Sequence, residues 1–427
     1  MVEVWLPYGK TEVCLRVPTK NFLGSVEPKE KPSLSDVKGE VERALKEPIG
    51  SQRLCEAAKA GNKAVIVLDG DTPMTVGRAL VPPILDELNG AGVRDEDITL
   101  ILGWGVNGGF AGDASAFLGE NLARRVKVVS HDLKASDFVY VGATKGGTKV
   151  YLNRIFAEAD LKILAGVINP HPFMGYVGGR SGVLPGVVSE ETVKANHAML
   201  LHSNAGAGVL EGNPVHEDAV EAARIAKVDF TLNVVVNVKG EVVKAFAGDL
   251  EKAFYEGVRL FNEMYRVAVD RRADVVVVSA GGYPADINLA RAWVSVDNVS
   301  EIAKRGGVVV LVAECTEGYG NQAFYEWMVK FKDLKAVERE IKRNFVWGGH
   351  SAYQLMRALQ KNQIILVSIL PDYYAVNVFR LKTARTVNEA LNQAFRTVGE
   401  NAKVWAVPYG NYTLPEVGTV GQSEQQP

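Results

Sequence analysis

Short β-branched runs alternate with stretches of helical periodicity along most of the chain, the pattern of an α/β protein. The runs that read as strands are KAVIVLD (63–69), DITLILGW (97–104), VKVVSHD (126–132), DLKILAGVINP (160–170), ADVVVVSAGG (273–282), GGVVVLVAEC (306–315), QIILVSIL (363–370) and KVWAVPYG (403–410). Several are almost wholly apolar, as strands covered on both faces must be. FTLNVVVNVKGEVVKAFAGD (230–249) reads as a hairpin turning at Lys239 and Gly240, the one clearly antiparallel piece after the small antiparallel element in VWLPYGKTEVCLRVP. A fresh strand and helix series follows EKAFYEGVRLFNEMYRVAVDRRA, which places a boundary near residue 268. The expectation is α/β, two domains with mainly parallel sheets flanked by helices and an active site in the interdomain cleft. The divisions are 1–268, carrying the cofactor or metal residues, 269–415, and a flexible tail over 416–427.

A chain of 427 residues suits two domains better than one. Its net charge of −2, without clustered Lys and Arg, gives no reason to expect a nucleic-acid or membrane-surface partner. The apolar runs are interrupted well before the roughly 18 residues a bilayer crossing needs, and no charged-then-apolar leader opens the chain, so a cytoplasmic location is expected. Cys14, Cys55 and Cys315 have no ligand-like spacing and read as buried thiols.

Polar residues fall at one strand end after another. Asp69 ends the first run, the turn GWGVNGG (103–109) the second, and His131 with Asp132 the third, while His171 follows the fourth. The later half supplies SAGGYPADIN (279–288) at the same kind of place. Loops beyond the carboxyl ends of parallel strands converge on ligands, so the coincidence points to a site. Taken singly, each residue has a plain structural reading: a cap for Asp69 or Asp132, a satisfied histidine for His131. Neither the dinucleotide fingerprint nor a P-loop is present.

Three of the six histidines lie in NPHPFMGYVGGRSGVLPGVVSEETVKANHAMLLH (169–202). Ser189 with Glu190 and Glu191 starts a helix that carries His197 and runs toward His202, whereas His171 sits in the loop before it. Between them GYVGGRSG offers backbone amides at Gly178 and Gly179, suited to a phosphate or carboxylate, with Arg180 alongside. A ligand on a helix and an acid/base group on a loop is one reading, and a glycine-rich turn with two incidental histidines is the other. Asn213 and Pro214 start a further helix, of which His216 can be a plain part, and His350 is either a site residue or a capping histidine.

Several segments resemble the nickel-dependent lactate racemase family: LPYGKTEVCLRVP, KEPIGSQRL, SHDLKASDFVYVGATKGGTKVYLNR, PHPFMGYVGGRSGVLPG, ANHAM, LEGNPVHEDAVEAA, SAGGYPADINL and VWGGHSAYQL. The likeness spans nearly the whole chain. It implies two α/β domains and a nickel-pincer nucleotide, a pyridinium-3,5-bisthiocarboxylic acid mononucleotide holding nickel, with His197 matching the histidine ligand. It also implies His171 as one of two catalytic histidines flanking the substrate carbon. Asn107 stands where the second belongs, and asparagine hydrogen-bonds but takes up no proton at neutral pH. Ser181, beside Arg180, stands where the family lysine joins the nucleotide covalently. Thr72 replaces the arginine of the Asp-x-Thr-Arg-Pro motif, and Ala290, Arg291 and Val294 replace the Tyr-Gln and Lys of the later half.

The resemblance thus implies a racemase or epimerase of a 2-hydroxy acid or related α-hydroxy compound, lactate not assumed, with the pincer nucleotide held non-covalently. In that reading His171 is the base, Asn107 orients the hydroxyl, and Asp69 fixes local geometry. His131 or His202 serves the second face. Arg180 with the Gly178 and Gly179 amides grips an anionic group, beside Thr72, Tyr176 and Ser181. Partners would be the hydroxy acid and cofactor-synthesis proteins. Two alternatives stand: a divalent-metal lyase or hydrolase built on His131, His171 and His197, and a non-catalytic binder of an anionic nucleotide. The pincer reading requires the His197 ring to face the crevice between domains.

Overall fold

A computed structural model of the protein describes residues 1–103 and 118–418. The chain forms two compact units, one of residues 30–262 and one of residues 1–29 with 263–427. The first is built on a six-stranded sheet in the order Val242–Gly248, Phe230–Val236, Leu161–Val167, Ala64–Asp69, Ile98–Gly103, Lys127–Ser130. All neighbours are parallel except the hairpin Phe230–Val236 and Val242–Gly248. Every residue of Ala64–Asp69 and Leu161–Val167 is buried, which accounts for their largely apolar character, broken only by Asp69 and Lys162. Ile66, Leu68, Leu100, Ile163 and Leu232 belong to one core with Leu80, Ile84 and Leu88 of the helix Met74–Gly90. Each such aliphatic side chain contributes about 1.5–3 kcal/mol on burial.

The order of this sheet positions the site. From Ala64–Asp69 the chain first adds strands on one side, then returns to add Leu161–Val167 and its successors on the other. The topological switch point therefore lies between Ala64–Asp69 and Leu161–Val167, the place beyond whose carboxyl ends open α/β sheets bind ligands. Gly166 lets the two strand ends approach: a Cβ there would stand 2.8 Å from Asp69 Cβ and 3.2 Å from Thr72 Oγ1.

The second unit has a parallel sheet in the order Lys382–Ala384, Gln363–Val367, Ala303–Val312, Ala273–Ser279, Val404–Val407, Phe22–Ser25. The opening hairpin, Val2–Tyr8 with Thr11–Val17, packs Leu6, Leu15 and Val17 into the same core as Val277 and Val310. This corrects the expected extent of the first domain, 1–268. Phe22 pairs with Val404, and the Val26 amide donates to the Ala406 carbonyl at 2.7 Å, so the first 29 residues join the carboxyl-terminal unit. A four-residue run with a glycine inside it carries too little periodicity to be read as a strand from sequence. The expected tail is also corrected at its start: Leu414–Val417 pairs in parallel with Arg266–Val269. Residues 419–427 lie outside the described residues. A further antiparallel hairpin, Phe138–Ala143 with Lys149–Asn153, joins the two that were expected.

Candidate active site

The signature segment leaves Leu161–Val167 at the switch point. Pro170–His171 pairs with Gly175–Tyr176 in a two-residue ladder, so His171 is fixed on a miniature hairpin rather than a loose loop. The ring is partly exposed. Its Nδ1 accepts from the Met174 amide at 3.1 Å and more weakly from Phe173 at 3.5 Å. An accepting Nδ1 puts the proton of the neutral ring on Nε2, so as built His171 presents an N–H. Taking up a proton at Nε2 requires the loop amides to release Nδ1. The Phe173 ring stands edge-on between His171 and His197, at 4.4 Å and 5.1 Å.

The glycine-rich turn overturns several expectations. The Gly178 amide donates to Ser181 Oγ at 2.7 Å and the Gly179 amide to Asn233 Oδ1 at 2.8 Å, so both expected anion donors are used internally. Arg180 is almost fully buried and ties the loop to itself: its Nη atoms donate to the carbonyls of Gly178 (3.1 Å), Met174 (2.9 Å) and Tyr176 (2.7 Å), and its Cζ lies 4.6 Å over the Phe254 ring. Burial lowers its pKa to about 10, against the opposing pull of Tyr255 and Asp69. Its Nη atoms are thus engaged with backbone carbonyls, while Nε is buried without a partner, which narrows the anion-gripping role expected of it. Tyr176 is likewise interior, its hydroxyl donating to Asn262 Oδ1 at 2.5 Å.

Asp69 ends its strand buried. Its Oδ2 accepts from Ser181 Oγ at 2.5 Å and its Oδ1 from the Asp71 amide at 3.1 Å. Burial raises its pKa above the usual carboxylate range, and these two bonds and the Arg180 charge only partly offset this. Asp69 is therefore bonded to the residue that stands in the family lysine's place. Beside it, Thr72 Oγ1 is buried without a hydrogen-bond partner, and so is Asn169 Oδ1 at the end of the neighbouring strand. Unpaired buried polar atoms are uncommon and call for an explanation. These two flank the switch point.

His131 is a correction. Its buried Nε2 donates to the Val188 carbonyl at 2.9 Å, and Nδ1 faces Asn153 Nδ2 at 3.4 Å. Burial lowers its pKa. With both nitrogens engaged the ring is structural, serving neither as a second base nor as a metal ligand. His202, the other group considered for the second face, is exposed and accepts from the Asn204 amide at 3.2 Å. Asn107 lies outside the described residues, as does the turn after Gly103. Among the described residues no three His, Cys, Asp or Glu side chains gather as a metal-ligand set.

His197 closes the helix Glu190–His197, which Ser189 caps by accepting from the Thr192 amide. The ring is fully buried, which corrects the expectation that it opens onto a crevice. Its Nδ1 lies 2.9 Å from Asn196 Oδ1. The Asn196 amide is oriented without ambiguity, because Nδ2 donates to the Val215 carbonyl at 3.0 Å and to Asp218 Oδ2 at 2.9 Å. An oxygen therefore faces the imidazole, Nδ1 carries the proton, and the lone pair of the neutral ring is on Nε2. Asn196 and Asp218 were not singled out from the sequence. The signal for the first, an asparagine directly before the helix-borne histidine, has no meaning until the amide's other partners are seen. His216, on the helix Pro214–Ile225, is structural: it stacks on Phe254 with Nε2 3.2 Å from the Tyr255 hydroxyl. Burial and the Arg180 charge lower its pKa to about 3. His350 is buried against Trp347 and accepts from the Gly348 amide at 3.3 Å, the capping alternative.

Residues 8–208 match the lactate racemase N-terminal domain family, and residues 268–413 match the lactate racemase C-terminal domain family. The lactate racemase of Thermoanaerobacterium thermosaccharolyticum is 32% identical over 420 residues, covering 96% of this chain and 98% of that protein. The lactate racemase of Lactiplantibacillus plantarum is 30% identical over 421 residues, covering 96% and 99%. The structure of the T. thermosaccharolyticum lactate racemase apoprotein superimposes with a TM-score of 0.89 at 31% identity, covering 97% of this chain and all of that one. Fold and sequence together make this an α/β isomerase. The chain belongs to the lactate racemase family.

Proposed function

We propose that the protein is a racemase or epimerase of a small 2-hydroxy acid or related α-hydroxy compound, working with a nickel-pincer nucleotide held without a covalent tie. The observation that carries this reading, beside family membership, is the wiring of His197: a neutral imidazole with its lone pair on Nε2 is the form that binds a metal ion. The residues fit the metal half of the group. They do not fit its covalent half, because Ser181 offers only a hydroxyl already donated to Asp69. The pincer nucleotide, when bound, supplies a centre that takes hydride from the substrate carbon and returns it.

The chain's own residues divide the remaining work. His171 presents its Nε2–H to a substrate oxygen and exchanges the hydroxyl proton when the loop amides release Nδ1. Asn107 orients the hydroxyl. Thr72 Oγ1 and Asn169 Oδ1, lacking partners within the protein, hydrogen-bond the bound groups at the switch point. Arginine is absent at position 72, and the Nη atoms of Arg180 are held by backbone carbonyls. The carboxylate subsite therefore differs from that of the resembling family, which supports a substrate other than lactate. The fully buried His197 ring does not meet the condition set for the pincer reading, so the reading applies only to a state in which the surroundings of the ring open to admit an ion. His131's engagement counts against the plain three-histidine metal site.

The test is protein produced alongside cofactor-building proteins, its metal content measured and its mass taken intact and after denaturation. Nickel that leaves with a sulfur-containing ligand on denaturation, a chain of unmodified mass, and interconversion of one enantiomeric pair in a 2-hydroxy acid panel are expected. Zinc or manganese in place of nickel overturns the reading in favour of a metal lyase or hydrolase. A metal-free chain that still binds the nucleotide makes it a carrier.

A further inference from the structure

Four buried side chains from three parts of the chain form one run of hydrogen bonds ending at His197. Thr144 Oγ1 accepts from the Thr148 amide at 3.1 Å and donates to Asp218 Oδ1. Asp218 Oδ2 accepts from Asn196 Nδ2, and Asn196 Oδ1 accepts from His197 Nδ1. Thr144 and Asp218 are 5% exposed, Asn196 and His197 not at all. Gly146 is part of the arrangement, since a Cβ there would come within 2.9 Å of Asp218 Oδ1.

Direction is what distinguishes this chain from ordinary packing. Asp218 as a carboxylate only accepts, so Asn196 must turn its amide nitrogen toward it, and the Val215 carbonyl demands the same nitrogen. The Asn196 oxygen is thereby forced toward His197. We propose that Asn196, oriented by Asp218, is a positioning residue that holds His197 in its Nδ1–H tautomer, so that Nε2 is the nitrogen offered to the metal. That Nε2 is so used rests on the reading of the preceding section, whereas the tautomer does not. Free histidine side chains favour the Nε2–H form, so the preference must be imposed by the protein. Partners of this kind on the distal nitrogen typically change metal affinity about 10–100-fold when removed.

Nitrogen-15 NMR of the full-length apoprotein, labelled at its six histidines, reads the tautomer of each neutral ring directly at mildly alkaline pH. His197 is expected as Nδ1–H. His131, whose Nε2 donates to the Val188 carbonyl, is expected as Nε2–H in the same spectrum and reports whether a variant is folded. Asn196→Leu removes the acceptor and is expected to shift His197 toward Nε2–H with His131 unchanged, while Asn196→Asp keeps an oxygen in place and retains Nδ1–H. Nε2–H at His197 in the wild-type chain overturns the proposal without any variant. So does a tautomer that Asn196→Leu leaves as it was. In the nickel-loaded protein Asn196→Leu is expected to lower nucleotide affinity about 10–100-fold, by equilibrium dialysis. His197→Ala separates the two ideas: unchanged nickel content removes the ligand role and leaves the tautomer assignment standing.

Discussion

The turn Gly178–Gly182 and the helix end Asn196–His197 are both buried, both rich in polar atoms and close in sequence, yet their hydrogen bonds are arranged to opposite effect. In the turn the Gly178 and Gly179 amides, the Ser181 hydroxyl and the Arg180 Nη atoms bond to the protein's own carbonyls and side chains. At the helix end the bonds converge on one face of one ring and put its lone pair on the opposite nitrogen. Residue types alone suggest an anion cradle in the turn and leave the histidine on the helix as either a ligand or incidental. What separates a structural polar cluster from a chemical one here is where the donors end, and that depends on partners far away in sequence.

The comparison breaks most visibly at Arg180. Arg180→Met keeps an unbranched apolar stem but removes the guanidinium and leaves the carbonyls of Gly178, Met174 and Tyr176 without donors in a buried site. The expected cost is about 3–5 kcal/mol, read as a lower midpoint in urea denaturation. A variant that melts like the parent and loses only ligand affinity would return Arg180 to the anion-binding role.

Behind the same loop, His216 makes the unit acid-sensitive. Its folded-state pKa, lowered to about 3, lies below the roughly 6.5 of an unfolded histidine, so its contribution is fully present above about pH 6.5 and is lost as pH falls toward 3. Each pH unit in that window costs about 1.4 kcal/mol, or about 3 kcal/mol by pH 4. His216→Gln is expected to flatten this part of the stability profile, measured by denaturant titration at stepped pH. An unaltered slope would assign the acid sensitivity elsewhere, His350 being the next group, with its pKa lowered to about 4 by burial.

Ser181→Ala has a smaller effect, about 1–3 kcal/mol, because it deletes one donor to Asp69 and one acceptor for the Gly178 amide. The sharper readout is selectivity. If the turn is structural, nickel content in cofactor-loaded protein stays in proportion to the folded fraction, whereas His197→Ala loses it outright.

How much of this the sequence disclosed follows the same division. The long buried strands were legible because an apolar run needs no partner to be recognised, and the helix starts at Ser189 and Asn213 because capping is local. Phe22–Ser25 was not, since a short edge strand is defined by pairing with Val404–Val407 across most of the chain. Asp69 and His171 were singled out by their position at strand ends, and the topology puts both strands beside the switch point. Arg180 and Tyr176 in the glycine-rich loop, and His131 at a strand end, were misjudged because such residues look alike in sequence whether their donors meet solvent or partners inside the protein. Asn196 and Asp218 were passed over because a hydrogen-bond chain linking residues 144, 196 and 218 leaves no periodic trace.

The most delicate probe of the comparison is Asp69, the carboxylate that the turn encloses. A burial-raised folded-state pKa means the fold favours its protonated form. Its contribution is thus fully present below the ordinary carboxylate value of about 4 and is lost as pH rises through the higher folded value. Asp69→Asn is close in shape and carries no charge, so it escapes that loss, but its amide nitrogen faces Ser181 Oγ where an oxygen accepted before. Near pH 4 the parent should therefore be the more stable of the two. Toward neutral pH the gap should close and then reverse or vanish. A gap that instead widens as pH rises would mean that Ser181, Asp71 and Arg180 stabilise the carboxylate outright. Asp69 would then be a charge that the turn is built to hold, ready to bias a proton or a cation at the switch point, and the contrast between a closed turn and a chemically directed helix end would no longer stand.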